Sequence, residues 1–256
     1  MLGFLRHLRK KLLQKNKFSS YFLYATGEVF LIVIGILIAL AINNWNQNRL
    51  ARNQERFYLE GLKTEFEQSR YKLQQLIEVN RLNYQESIKI AGFVGKEQAK
   101  PEEQEFSRLL YNSFSYEIAY NPNNSLLNEL INSGSLKNIS NPELRKHLTS
   151  WDSWISGVHQ QEQNLREQRE KILDIFRGNT GSIRTILDHS GISTKKMGLE
   201  NPGNFGSNLE VLELKEFENN LLLFILTAMA TESSHYEPLL EETNSILGLL
   251  EAEIDK

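Results

Sequence analysis

Residues 27–45 read GEVFLIVIGILIALAINNW, and this stretch decides the architecture. From Tyr21 to Ile42 the chain runs with a single charged residue, Glu28. At 1.5 Å rise per residue, a helix of that length reaches roughly 33 Å, close to the roughly 30 Å hydrocarbon core of a bilayer. The expectation is one N-terminal transmembrane helix over residues 21–43. The next most apolar stretch, LLLFILTAMA at Leu221–Ala230, is too short to cross a membrane and reads as a core helix.

The flanks give the span a direction. Residues 1–20 hold six cations and no acid, whereas the remainder holds 23 cations and 32 acids. The positive-inside rule therefore places residues 1–20 in the cytoplasm and the body outside it, in the periplasm if the membrane is a bacterial inner membrane. Leu2, Leu5, Leu8 and Leu12 recur at helical spacing among these cations, which suits a basic amphipathic helix on an anionic leaflet. Arg9, Lys10 and Lys11 on one side and Trp45 on the other are the expected interfacial anchors. A cleaved signal peptide is the rival reading, because Ala39-Leu40-Ala41 has the form of a cleavage site; the apolar run is longer than a usual signal core.

Glu28 needs an explanation in such a run, because an ionised carboxylate in hydrocarbon is costly and usually faces a partner or water. Gly27 beside it lets a second helix approach, and Gly35 lies eight residues further on. Gly27, Glu28 and Gly35 are therefore the expected contact for association within the membrane. The alternative is that the span begins at Val29 and Glu28 sits at the interface.

The stretch KLLQKNKFSSYFLYATGEVFLIVIGILIALAINNWNQ resembles the N-terminus of an uncharacterised family of single-span membrane proteins frequent in Bacteroidota. That family shows a basic start, a Lys-Phe-Ser segment, Gly-Glu, an apolar span and an Asn-Asn-Trp-Asn exit. The segment LLNELINSGSLKNISNPELRKHL, residues 126–148, is similar to its central portion, so the resemblance extends over most of the chain. It implies the same topology and carries no activity, cofactor or catalytic residue with it.

The rest of the chain reads as all-α: an elongated extracytoplasmic helical bundle over residues 44–256. Apolar residues at spacings of three and four predict long helices near 45–96, 142–177, 211–232 and 236–254, with shorter ones at 103–114 and 125–133. The first would leave the membrane as a stalk. Asn141-Pro142 is a cap followed by a first-turn proline, and Gly134 suits the position just past a helix end. In the seam of 142–177, Glu162 and Arg169 stand where apolar residues are expected. They either pair across helices or mark where the helix leaves the core. Residues 178–210 hold six glycines and lose periodicity, a connection long enough to be functional or mobile.

Chemistry is sparse. Hydrophobic residues make up 40% of the chain and charged ones 24%, so it should fold. With no cysteine there are no disulfides, thiolate metal sites or cysteine nucleophile. The five histidines include no pair at helical metal spacing. GNTGSIR lacks the G-K-[ST] of a phosphate loop, and no G-x-S-x-G elbow occurs. Glu102, Glu103 and Glu105, like Glu241 and Glu242, read as solvated helix faces. Trp151 and Trp154 are the one aromatic pair that suggests a ligand or partner patch.

These residues predict no enzyme, no cofactor, no metal and, with an acidic body, no nucleic-acid partner. They predict a membrane-anchored helical interaction or scaffold protein of the bacterial cell envelope. Its partners would be membrane lipid and either a second copy or an envelope protein. The alternative is an extracytoplasmic ligand-sensing bundle that signals through a partner subunit, since about 20 cytoplasmic residues are too few for an output domain.

Overall fold

The computed structural model of the chain describes residues 18–95, 100–200 and 206–256. The basic segment with Arg9, Lys10 and Lys11 lies outside them. Among the described residues the fold is all-helical, with no strand. Eight α-helices follow in order: α1 Phe18–Ala91, α2 Glu103–Phe114, α3 Ser125–Asn132, α4 Pro142–Arg177, α5 Ile183–His189, α6 Ile192–Lys195, α7 Lys215–Thr231 and α8 Glu237–Ile254. Short 3₁₀ turns occupy Ser135–Asn138 and Leu209–Glu213, and a π turn occupies Glu232–Tyr236. The chain divides into two units, residues 1–57 and 58–256.

α1 is one helix of 74 residues, running on from the apolar stretch into the first body helix as expected. None of the chain's five prolines falls inside it, so nothing removes a ladder donor. It stops at Ala91, five residues short of the expected end. The cause is local: Gly92 donates back to the Ile88 and Lys89 carbonyls, and Gly95 turns the chain at φ +73°. In the first unit the helix leaves Val29–Val33 and Ile36–Ile42 exposed.

In the second unit α1 is a core element and not a free stalk. Leu59, Leu62, Phe66, Leu73 and Ile77 are buried, and each contributes on the order of 1.5–3 kcal/mol by leaving water. They meet α4 through Trp151, whose ring stands edge-on to Phe66 at 4.8 Å. α4 packs most extensively on α7, and also on the π turn and α8. α4 begins where the sequence says it should: the Asn141 side chain accepts from the backbone N–H of Glu143 and Leu144 at 2.9 and 3.0 Å.

α7 and α8 were expected as two helices with a gap. They are continuous, joined by the π turn, in which the Glu237 N–H reaches the Glu232 carbonyl. Pro238 is the physical reason. It has no N–H and would clash with the carbonyl four residues earlier in a regular helix; the wide turn absorbs this.

The glycine-rich connection also differs from expectation, because it carries α5 and α6. Ser182 caps α5 by accepting from the Thr185 N–H at 3.1 Å, and Ile186 is buried as α5 packs on α2. Gly181 lies so close to Phe176 that an added Cβ would stand 2.7 Å from the ring and 3.1 Å from the Phe176 Cα. Gly181 thus serves tight docking, whereas Gly191 and Gly198 turn the chain at φ +70° and +67°.

Between α2 and α3 the chain crosses the interior without regular structure, and Ile118, Tyr120 and Pro122 are buried there. Its backbone groups need partners that no ladder supplies. Side chains from both neighbouring helices provide them. The Tyr120 N–H donates to Glu162 Oε1 at 2.8 Å, and His159 Nε2 donates to the Tyr120 carbonyl at 3.0 Å. The Tyr120 hydroxyl donates to the Ser69 carbonyl at 3.1 Å. Ser69 Oγ then bonds both the N–H and the carbonyl of Asn123. Glu65 accepts from the Leu126 and Leu127 N–H groups, capping α3 from α1. Arg169 Nε donates to the Phe114 carbonyl at 2.9 Å. The two polar residues in the α4 seam thus pair across elements.

Candidate functional site

Two surfaces stand apart from the core. The first is the apolar run of α1. Val29, Leu31, Leu37 and Ile42 are 60%, 70%, 58% and 61% exposed, while the second unit buries most of its large apolar side chains. Among the described residues α1 contains the one helix long and apolar enough to cross a membrane. Gly27, Glu28 and Gly35 lie on it, exposed, and a Cβ added at either glycine would meet nothing within 4 Å. On an unbroken helix Glu28 and Gly35, seven residues apart, share a face to within about 20°, whereas Gly27 lies about 80° from Gly35. Trp45 is 64% exposed, with the Arg49 guanidinium 5.5 Å from its ring centre.

The second surface is a groove of about 310 Å³ beside α4. Ser150, Ser153, Trp154 and Gly157 form its α4 wall, and Ser234 and His235 face them from the π turn. Trp154 is 37% exposed. Gly157 sits in the middle of a 36-residue helix, where glycine is unfavourable by roughly 1 kcal/mol relative to alanine. Packing does not require it, because a Cβ there would meet nothing within 4 Å. Its effect is to leave the groove open. The opposite wall is a π turn, another feature often found at functional sites. A second depression of about 550 Å³ adjoins at Ser150 and brings in Lys137, Arg145, Lys146 and Thr149.

The two tryptophans expected as one patch are separated by these surroundings. Trp151 is 2% exposed, stands against Phe66, and its indole N–H has no acceptor. Trp154 alone faces the groove. The two histidines of α4 are likewise committed to structure. His147 lies 2.7 Å from Glu242 and 3.4 Å from Glu143, and His159 bonds Tyr120.

The acidic clusters are less solvated than expected. Glu103 accepts from Ser207 Oγ at 2.8 Å and from the Asn208 N–H at 2.9 Å, and Glu242 takes His147. Their partners lie about a hundred residues away, so no local pattern announces them. Among the described residues no three His, Cys, Asp or Glu side chains form a metal site.

Glu162 is a buried acid on α4, the groove-bearing helix. Burial pushes its carboxyl above the ordinary range, and the Tyr236 hydroxyl, the Tyr120 N–H, His159 and Arg166 pull the other way. Burial likewise raises the Tyr236 and Tyr120 phenols. With Glu162 3% exposed and bonded on both sides, the cluster is a structural brace and not an open site.

Part of the chain matches a family of unknown function (DUF6090). The match covers residues 28–154, from Glu28 in the apolar run to Trp154 in the groove. It stops short of α5–α8, so the resemblance expected over most of the chain is found over α1 to the first third of α4. No curated protein matches the chain, and no solved structure does.

Proposed function

We propose that this protein is a membrane-anchored helical interaction protein of a bacterial cell envelope. Residues 21–43 cross the inner membrane, the basic start lies in the cytoplasm, and the body over residues 44–256 lies in the periplasm. The observation that carries this reading is the exposed apolar run of α1, whereas residues 58–256 bury most of their described large apolar side chains. A patch of this kind on a soluble surface would aggregate, and lipid is the cover its length fits.

The absence of native cysteine makes the topology directly testable. In the full chain, Asn48→Cys should react with an impermeant maleimide once the outer membrane is permeabilised, and Lys15→Cys only after lysis. Reversed labelling would overturn the orientation, and release of the chain by alkaline carbonate would overturn the anchor. Intact mass tests for cleavage near Ala39–Ala41.

The anchor is proposed to associate through the Glu28–Gly35 face, with a second copy or another envelope protein. Glu28→Leu should then dissociate the complex purified from native membranes; an unchanged complex would leave Glu28 as an interfacial residue only.

A second reading, a ligand-sensing bundle acting through a partner subunit, is favoured by the groove at Trp154. Gly157 keeps the α4 wall of that groove low although packing requires no glycine there.

A further inference from the structure

We infer that the groove beside α4 binds a saccharide chain carrying acidic groups. This rests on the ligand-sensing reading of the groove and is independent of the membrane anchor.

The chemistry divides along α4. At the Trp154 end the lining is an aromatic face, serine hydroxyls from both walls and one imidazole, His235. No carboxylate and no lysine or arginine lines this half, in a chain of which 24% is charged. A flat apolar face ringed by neutral hydrogen-bonding groups suits a pyranose ring. Such a ring has an apolar face of its own and hydroxyls at its edge, and the indole is rigid and amphipathic. Fixed polar groups around an apolar wall are the usual composition of a small-ligand site.

The other half is cationic. Lys137, Arg145 and Lys146 line the adjoining depression, and Arg145 is held in place by donating to the Lys137 carbonyl at 3.2 Å. Glu143, 3.7 Å from Lys146, offsets one of these charges and leaves an excess of two. In a body with more acids than bases this is a local reversal of sign, and it selects for an anionic ligand. Ser150 belongs to both halves, so the surface is continuous. From Arg145 to Trp154 is nine residues of helix, or roughly 13 Å. A single sugar cannot occupy both ends, which is why the ligand is a chain.

Gly157 gives the inference its independent support. It stands inside the regular helix α4 at a point where packing requires no glycine, and its missing side chain keeps that wall of the groove low.

The test is binding of the full chain, in detergent micelles, to oligomers of polygalacturonate. The methyl-esterified oligomer, dextran oligomers and an oligoglutamate peptide are the comparison probes. The expected result is binding of the acidic oligosaccharide, weakened by salt, and weaker binding of its methyl ester. Trp154→Ala should lower affinity roughly tenfold or more for both saccharides. Arg145→Gln should lower it for the acidic form alone.

Gly157→Ala separates site from scaffold, since it should raise the melting temperature while weakening saccharide binding. Equal affinity for the acid and its ester, or binding indifferent to Trp154→Ala, would overturn the inference. Binding of oligoglutamate alone through Trp154 would overturn the saccharide class and leave the groove a ligand site. Binding of no probe would overturn both.

Discussion

Glu162 and Tyr236 meet at 2.6 Å inside the bundle, and the same carboxylate oxygen takes the Tyr120 N–H at 2.8 Å. One acid thus ties α4 to the π turn and to the irregular crossing between α2 and α3. Its carboxyl is raised by burial, so the folded state binds a proton more tightly than the unfolded state does. The stability this group contributes is complete below its unfolded value of about 4.3 and is lost as pH rises through its higher folded value. Glu162→Gln keeps an acceptor for both donors and removes the titration. Its melting temperature should exceed that of the parent at pH 8, and the difference should vanish toward pH 4. Tyr236→Phe removes the hydroxyl that donates to Glu162 and should be destabilising by about 1–3 kcal/mol.

Arg81 donates to one oxygen of Glu232 through Nε at 3.0 Å and through Nη2 at 2.5 Å. Glu232 is 7% exposed, and its other oxygen has no partner. Removing the arginine takes away the only cation bonded to this nearly buried carboxylate among the described residues and leaves it beside Tyr84. Because Arg81 itself is partly solvated, Arg81→Met should cost about 1–3 kcal/mol, less than a fully buried pair. Adding Glu232→Gln should recover most of that in denaturant titrations. No recovery would show that the arginine acts through packing alone.

Asn141 has two duties, capping α4 and donating to Glu253 at 2.7 Å. Asn141→Ala loses both and should be destabilising by about 1–2 kcal/mol. Asn141→Asp keeps the cap but opposes two carboxylates, so its deficit should appear at neutral pH and shrink on acidification. Thermal melts of the two variants at pH 5 and 7.5 separate these duties.

Gly181→Ala should be destabilising by about 1–3 kcal/mol, since the new methyl would press on the Phe176 ring and backbone. Gly157→Ala, at a helix position with open space, should be stabilising. Opposite signs for the same substitution, read from melting temperatures, would distinguish a glycine that packing requires from one that it does not.

Much of the helical layout is readable from local pattern. The Asn141-Pro142 start, the Gly134 turn at φ +69° and the buried stripe from Leu144 to Phe176 follow from capping chemistry and period alone. Glu162 and Arg169 announce themselves as breaks in that stripe. What they bond to could not be read, because Tyr120 and Phe114 lie more than forty residues away and offer backbone groups, which leave no mark in sequence. The separation of Trp151 from Trp154 is a matter of facing. Three residues along a helix leave two side chains about 60° apart, enough at the edge of the buried stripe to put one indole against Phe66 and the other in the groove. The join between α7 and α8 was missed because Pro238 looks like a starting signal and serves here inside a continuous helix.

That join has a consequence for how this chain can vary. From Lys215 to Ile254 the helix carries a wide turn holding one residue more than a regular helix would. Deleting any one of Glu232–Tyr236 would remove the wide turn and force the Pro238 ring against the carbonyl four residues before it. Leu239, Ile246 and Leu250, buried just beyond the turn, and the bond from Tyr236 to Glu162 all depend on that geometry. Relatives of this protein should therefore differ freely in the spelling of these five positions and hardly at all in their number.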